Sequence, residues 1–134
     1  MKRSRFAILL AVLFGGLALG TAAAAPDGAV LLGERTVDFR ANHDLIRVGH
    51  HEGFFRSLVF EVQRNNIEIF NIVVTYGDGR RERLDTRMAF DSGTRSREIR
   101  LEGGRRKIQS IAFEFRTLGS RIEGRARVRV FGLR

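Results

Sequence analysis

The sequence contains no cysteine, and its single proline is Pro26. Without cysteine the protein has no disulfide framework, no thiol nucleophile and no lipid anchor on a cysteine side chain. With no proline after residue 26, no later strand is interrupted by one. The fold must therefore be held together by burial of apolar residues, of which the nine phenylalanines after residue 30 are the largest.

Recognised catalytic motifs are also missing. None of the serines lies in a GxSxG or SxxK context. The segment Gly77-Asp78-Gly79 is explained as a turn, so it does not indicate a glycine-rich phosphate loop. Four carboxylates fall on predicted solvated strand faces, with no pair assigned to one cleft: Asp38, Glu61, Glu68 and Glu114. We therefore predict that the protein is not an enzyme and uses no cofactor.

The first residues are typical of a targeting signal. A basic start, Met1–Arg5, precedes an uncharged apolar run and the small residues 21–25. Ala22 and Ala24 fit an A-x-A cleavage site, which predicts a signal peptide over 1–24 and a mature domain over 25–134. An uncleaved anchor is the alternative, since Phe6–Ala25 is about one bilayer thickness as a helix. We expect a periplasmic or secreted protein with no stable membrane span after cleavage and no nucleic-acid partner.

The mature chain is basic. Without Lys2, Arg3 and Arg5, 21 basic residues remain against 15 acidic ones, a net charge of +6. Lys107 is then the only lysine, and arginine supplies the rest. Such a balance favours anionic partners such as acidic glycans or lipid headgroups, although alternating Arg and Glu on strands is also typical of ordinary solvated faces.

Short alternating segments predict the fold. Phe54–Leu84 contains two apolar runs around Asn65-Asn66 and a third, polar run after Gly77-Asp78-Gly79, which predicts a three-strand antiparallel meander. Its first strand is expected to turn four side chains to the core: Phe54, Leu58, Phe60 and Val62. In the second strand Ile67 and Ile69 are out of phase with Ile72 and Val74. A bulge near Phe70-Asn71 would reconcile them, and a central strand buried on both faces is the alternative.

The other segments extend this pattern. We predict a first strand over Val30–Arg40 with a bulge or bend at Gly33, and edge strands over Leu45–Val48 and Arg80–Thr86. We also predict a short turn of α-helix or 3₁₀-helix within 118–123. Seven to nine strands with Gly and Asn turns indicate an all-β protein. We predict a single antiparallel β-sandwich, jelly-roll or immunoglobulin-like, in preference to a barrel.

One strand carries alternating arginines. Arg125, Arg127 and Arg129 are expected on one face about 7 Å apart, with Arg116 on the neighbouring strand. The turn that contains Arg105, Arg106 and Lys107 would add charge at the rim. Guanidinium groups bind phosphate and carboxylate in bidentate fashion. These seven residues are the predicted anion-binding site. In the alternative, Glu114 and Glu123 neutralise the arginines, and the face is an ordinary solvated surface.

One loop contains every histidine of the chain. His43, His50, His51 and Glu52 offer imidazole and carboxylate ligands for Zn²⁺ or another transition metal. Their spacing matches no recognised ligand pattern, so a polar surface loop without metal is the alternative.

Long segments of the chain resemble a known group of proteins. They are LLGERTVDFR, HDLIRVGHHEGFFRSLVFEV, NNIEIFNIVVTYGDG, IRLEGGRRKIQSIAFEFR and GRARVRVFGLR. They resemble a family of small uncharacterised exported proteins of Gram-negative bacteria, classed as a domain of unknown function. The resemblance implies a secreted or periplasmic β-sandwich and no established activity.

Three functions are consistent with these observations. The first is a non-enzymatic binding module for an anionic envelope component, such as an acidic glycan or a phosphate-bearing lipid. The second is a structural or protein-interaction role, with the edge Arg80–Thr86 as docking site. The third is a metal site on the histidine loop.

Overall fold

The computed structural model of the protein describes residues 28–49 and 53–134. These residues form eleven β-strands and one 3₁₀ turn, Arg121–Glu123, and the strands make two antiparallel sheets packed on each other. The predicted all-β sandwich and the 3₁₀ turn are confirmed. The predicted signal peptide lies outside the described residues, within which no helix is long and apolar enough to span a bilayer.

Each sheet has two inner strands, β11 (Arg127–Leu133) and β4 (Ser57–Gln63) in the first and β10 (Arg106–Thr117) and β5 (Ile67–Tyr76) in the second. The first sheet has the order β1 (Ala29–Thr36), β11, β4, with β8 (Thr94–Arg95) and β9 (Ile99–Arg100) both paired to β4. The second sheet has the order β2 (His43–Arg47), β10, β5, with β6 (Arg81–Leu84) and β7 (Met88–Phe90) paired to β5 and β3 (Phe54–Phe55) paired to β10. Three of the strands are only two residues long, which accounts for the excess over the predicted seven to nine.

The core lies between the sheets and follows the predicted alternation. Leu58, Phe60 and Val62 of β4 are fully buried. Phe60 meets Phe113 of β10 edge to face, with ring centroids 6.4 Å apart. Strand β6 presents only Leu84 to this core, as predicted for the edge strand.

The prediction that Phe54 faces the core is wrong. Phe54 is 54% exposed, whereas Phe55 is fully buried. Phe54 and Phe55 pair with β10 of the second sheet, and Ser57 already pairs with β11 of the first. The chain therefore changes sheets at Arg56, and the alternation of side chains restarts there.

Both predicted bulges are confirmed. The register of β5 against β10 shifts between Ala112 and Glu114, where Asn71 has a φ of 48°. The four isoleucine and valine side chains on either side of the shift all reach the core: Ile67, Ile69, Ile72 and Val74. The register of β1 shifts between Leu31 and Gly33. A Cβ at Gly33 would lie 2.5 Å from Ile46 Cγ2, so only glycine fits where β1 passes β2.

The predicted meander is wrong at its first turn. Strands β4 and β5 lie in different sheets, so Asn65-Asn66 crosses the sandwich and closes no hairpin. The left-handed residue of this crossing is Arg64, with a φ of 79°. The second turn is a hairpin as predicted, because the amide of Gly79 donates to the carbonyl of Tyr76.

Asn65 and Asn66, here called the asparagine node, join three crossings between the sheets. The buried Asn65 amide donates to the carbonyls of Ser120 and Gly124 at 3.0 and 2.8 Å. Asn66 accepts from the amide of Leu118 through its carbonyl and from the amide of Ser92 through its side chain. The node therefore holds the β4–β5, β7–β8 and β10–β11 connections at one end of the sandwich.

Replacing Asn65 by Ala should lower the free energy of unfolding by about 2 kcal/mol or more. The substitution leaves two carbonyls without their donor and opens a space at a fully buried position. Asn65→Asp should also destabilise, because a carboxylate cannot donate to those carbonyls. Urea unfolding measures both. The control Asn42→Ala, at an exposed position, should change stability by less than about 0.5 kcal/mol, and equal losses in Asn65 and Asn42 variants would contradict this role.

Candidate functional site

The predicted arginine face is divided between the two sheets. Arg127 and Arg129 lie on β11 of the first sheet, with Arg125 just before it, and Arg116 lies on β10 of the second. The prediction that Arg116 lies on the neighbouring strand is wrong. The chain crosses the sandwich between Thr117 and Arg127, around the asparagine node, so Arg116 and the other three arginines do not share a face.

A row of alternating charge crosses the first sheet and neutralises Arg129. Glu34, Arg129, Glu61 and Arg95 occupy one register line on four adjacent strands. The buried Glu61 carboxylate lies 3.1 Å from Arg129 Nη1 and 3.0 Å from Arg95 Nε. Arg129 Nε lies 3.3 Å from Glu34 without hydrogen-bond geometry. Arg129 is thus held by acids on both sides and is poorly placed for an external anion.

Two more of the predicted arginines have acidic neighbours. Arg116 pairs with Glu68 at 2.9 Å. Arg125 lies within the electrostatic reach of Asp38, whose pKa is lowered mainly by the backbone amide of Arg40 and further by the nearby arginines. Arg127 is half-buried on the first sheet. Arg116 and Arg129 are therefore neutralised, as the alternative prediction had it. The acids that neutralise them are Glu68 and Glu61, and not the predicted Glu114 and Glu123.

Glu61→Gln should lower the free energy of unfolding by about 2 kcal/mol, because two arginines lose a buried countercharge. Removing one partner of a fully buried pair costs roughly 3–5 kcal/mol, and the loss is smaller here since Arg95 and Arg129 retain 34% and 22% exposure. Glu34→Gln, which removes an exposed partner of the same Arg129, should cost less than about 1 kcal/mol. Chemical unfolding of both variants compares them, and equal losses would argue against the buried row as a stabilising element.

Only one of the predicted metal ligands lies in the described part of the chain. His43 is exposed on β2, and its Nδ1 lies 3.0 Å from Asn42 Oδ1. His50, His51 and Glu52 lie outside the described residues. Residues 28–49 and 53–134 contain no group of three potential ligands. The metal site stays a prediction.

A basic groove crosses the second sheet at the end opposite the asparagine node. It consists of two clefts of about 420 and 450 Å³ that share Gly77 and Lys107. The first is lined by Phe54, Tyr76, Gly77, Asp78, Arg105, Arg106 and Lys107. The second is lined by Arg47, Val48, Gly77, Lys107, Ile108 and Gln109. The three predicted rim residues thus come together in one concave surface.

The local structure explains how the groove forms. Phe54 pairs in register with Lys107, so its exposed ring lies beside that side chain. At Gly77 an added Cβ would lie 3.3 Å from the Cβ of Lys107, so a larger residue would crowd the junction of the clefts. The sequence signal for Phe54 was the pair Phe54-Phe55, since adjacent strand residues point to opposite sides and one ring must face outward.

Charge in the groove is mostly uncompensated. Within the described residues, Arg47, Arg105 and Lys107 form no ion pair. Arg106 is occupied: its guanidinium stacks 3.5 Å from the Tyr76 ring centroid and donates to the Glu102 carbonyl. Asp78 is the one carboxylate among the lining residues described, and it lies 3.9 Å from Arg106. The groove therefore has a net positive charge facing solvent.

A polar floor extends from the groove across the second sheet. Arg47, Ser110, Thr75 and Arg81 are neighbours in register on four adjacent strands. Two hydroxyl side chains thus lie between two exposed arginines. Sequence reasoning missed this row because it depends on strand pairings between residues far apart in the chain.

Tyr76 anchors the wall of the groove and is the only tyrosine. Its hydroxyl donates to Glu82, whose same oxygen accepts from the amide of Glu102 at 3.1 Å. Burial, and then the bond to Glu82, raises the pKa of Tyr76 above its usual value. The neutral phenol and the carboxylate together fix the β5–β6 hairpin to the segment before β10.

Titration of Tyr76 should show this raised pKa directly. The absorbance of tyrosinate should rise at higher pH in the folded protein than in urea, where the pKa is about 10. Because the folded-state pKa is raised, the stabilisation is present in full below about pH 10 and is lost as pH rises toward the folded-state pKa. Glu82→Gln should lower the midpoint in the folded protein. Equal midpoints in folded and unfolded protein would contradict the buried hydrogen bond.

Comparison with known proteins gives a family and no activity. A family model described as "Domain of unknown function (DUF2541)" matches residues 7–132, nearly the whole chain. No curated protein and no solved structure matched the sequence. The sequence resemblance to an uncharacterised domain family is thereby confirmed. The chain belongs to the DUF2541 family, a domain of unknown function.

Proposed function

We propose that the protein is an exported, non-enzymatic binding module for an anionic component of the cell envelope, an acidic glycan or a phosphate-bearing lipid. The basic groove is its binding site. The observation that carries this proposal is the placement of Arg47, Arg105 and Lys107, which form no ion pair in the described structure, around clefts that also contain the exposed Phe54.

The contrast with the arginines outside the groove supports this choice of site. Arg116 and Arg129 already have carboxylate partners at 2.9 and 3.1 Å. An external anion would have to compete with those acids. The described part of the chain places no such acid beside Arg105 or Lys107, so a charge-assisted hydrogen bond from them to phosphate or carboxylate gives a larger net gain.

The dimensions of the groove are also suitable. Clefts of about 420 and 450 Å³ lie within the usual range for small-molecule sites, roughly 300–1,000 Å³. An aromatic ring beside cationic groups supplies apolar contact and charge within one site. A sugar ring or a lipid headgroup that carries an acidic substituent has both matching parts.

The double variant Arg105→Gln/Lys107→Gln should weaken binding of an anionic ligand by about tenfold or more, since it removes two charge-assisted contacts. Calorimetry with oligogalacturonate measures binding of an acidic glycan, and sedimentation with phosphatidylglycerol vesicles measures binding of a phosphate-bearing lipid. Both should be measured over a salt series.

The matched control is Arg125→Gln/Arg127→Gln, which also removes two positive charges, at and just before the start of β11. It should change affinity by less than about twofold, as expected for charges outside a contact. If both double variants lose affinity equally, the anion is attracted by the overall positive charge of the protein, and the groove is not a specific site. If neither ligand binds, the proposed function is wrong.

A further inference from the structure

We infer that the basic groove binds an extended acidic oligosaccharide that lies across both clefts with Lys107 at their junction. This inference rests on the proposed function and names its ligand class. The inference extends the proposed function in three ways. The ligand is a chain with several negative charges and not a single anion, and it is a saccharide and not a lipid surface. Arg47 contacts a different part of this ligand from Arg105 and Lys107.

The arrangement of the cations favours a long ligand. Arg105 lies just before β10 and is two residues from Lys107, which places their Cα atoms at most about 7 Å apart. Arg47 lies opposite Ser110, three residues beyond Lys107 and about 10 Å further. These charges thus extend from the turn before β10, along β10, to the neighbouring strand β2, and do not converge on one point. A single phosphate or carboxylate can neutralise only one or two of them.

The continuity of the clefts supports the same ligand shape. Gly77 and Lys107 line both clefts. Gly77 has no side chain to separate the clefts, and Lys107 is exposed where they meet. A chain of acidic residues could therefore pass from Arg105 to Arg47 and meet a cation at each step.

The uncharged groups in and beside the groove favour a sugar over a bilayer. Beyond Lys107, Gln109, Ser110 and Thr75 offer an amide and two hydroxyls, which match the hydroxyl groups of a saccharide. The Phe54 ring is 54% exposed and offers a surface for the C–H face of a sugar ring. The Tyr76 ring is covered by Arg106 and is not open in this way. A bilayer would instead favour a flat surface with several apolar side chains.

The experiment measures the affinity of galacturonic acid and its oligomers of increasing length by calorimetry. For the unaltered protein, affinity should rise with length until the oligomer spans both clefts and then level off. Arg47→Gln should reduce the affinity of long oligomers by about tenfold, the value of one charge-assisted contact, and should thereby flatten the rise of affinity with oligomer length. Phe54→Leu should weaken every length, since it removes the stacking surface.

The control is Arg100→Gln, which removes an exposed arginine of β9 in the first sheet. It should lower the affinity of long oligomers by less than about twofold at physiological salt. Thermal unfolding of each variant should match that of the unaltered protein, since all three substitutions are at exposed positions.

Three results would overturn the inference. Affinity independent of oligomer length, with Arg105 and Lys107 still required, would leave the proposed function intact and limit the ligand to one cleft. Equal losses for Arg47→Gln and Arg100→Gln would reduce the length effect to general electrostatic attraction. Binding to phosphatidylglycerol vesicles without binding to any oligomer would assign the groove to a lipid surface.

Discussion

The fold depends on one buried side chain, the amide of Asn65. Its two donated hydrogen bonds reach carbonyls on the β10–β11 crossing, and its neighbour Asn66 holds the amides of Leu118 and Ser92. Strands that are adjacent in sequence are thereby separated into different sheets. Asn65 is fully buried, and a buried amide without acceptors is costly, so the same contacts that join the crossings also favour this topology over a simple meander.

This separation of strands determines which charges remain free. Because β10 and β11 part at the asparagine node, Arg129 faces Glu34 and Glu61 within the first sheet, while Arg116 faces Glu68 within the second. Strand β10 reaches the opposite end of the sandwich, where Lys107 has no such partner among the described residues and meets Phe54 and Gly77. Carboxylates thus neutralise Arg116 and Arg129, and unbalanced positive charge is left at the groove.

Local patterns predicted most of the fold, and distant pairings determined the rest. The alternation of Leu58, Phe60 and Val62 and the phase change at Asn71 were readable because they depend on the period of a strand. The sheet change at Arg56 and the crossing at Asn65 were not, since each depends on partners many residues away. For the same reason the charge at Arg105–Lys107 was visible in the sequence, but its meeting with Arg47 was not.

The most direct test of the account is to map an acidic oligosaccharide onto the protein by amide chemical shifts. Titration of ¹⁵N-labelled protein with a galacturonate oligomer should shift the amides of Gly77, Lys107 and Gln109 in a saturable way. The amides of β11, including Arg127 and Arg129, should not move. Shifts centred on β11, or small shifts spread evenly over all exposed arginines, would contradict the assignment of binding to the groove.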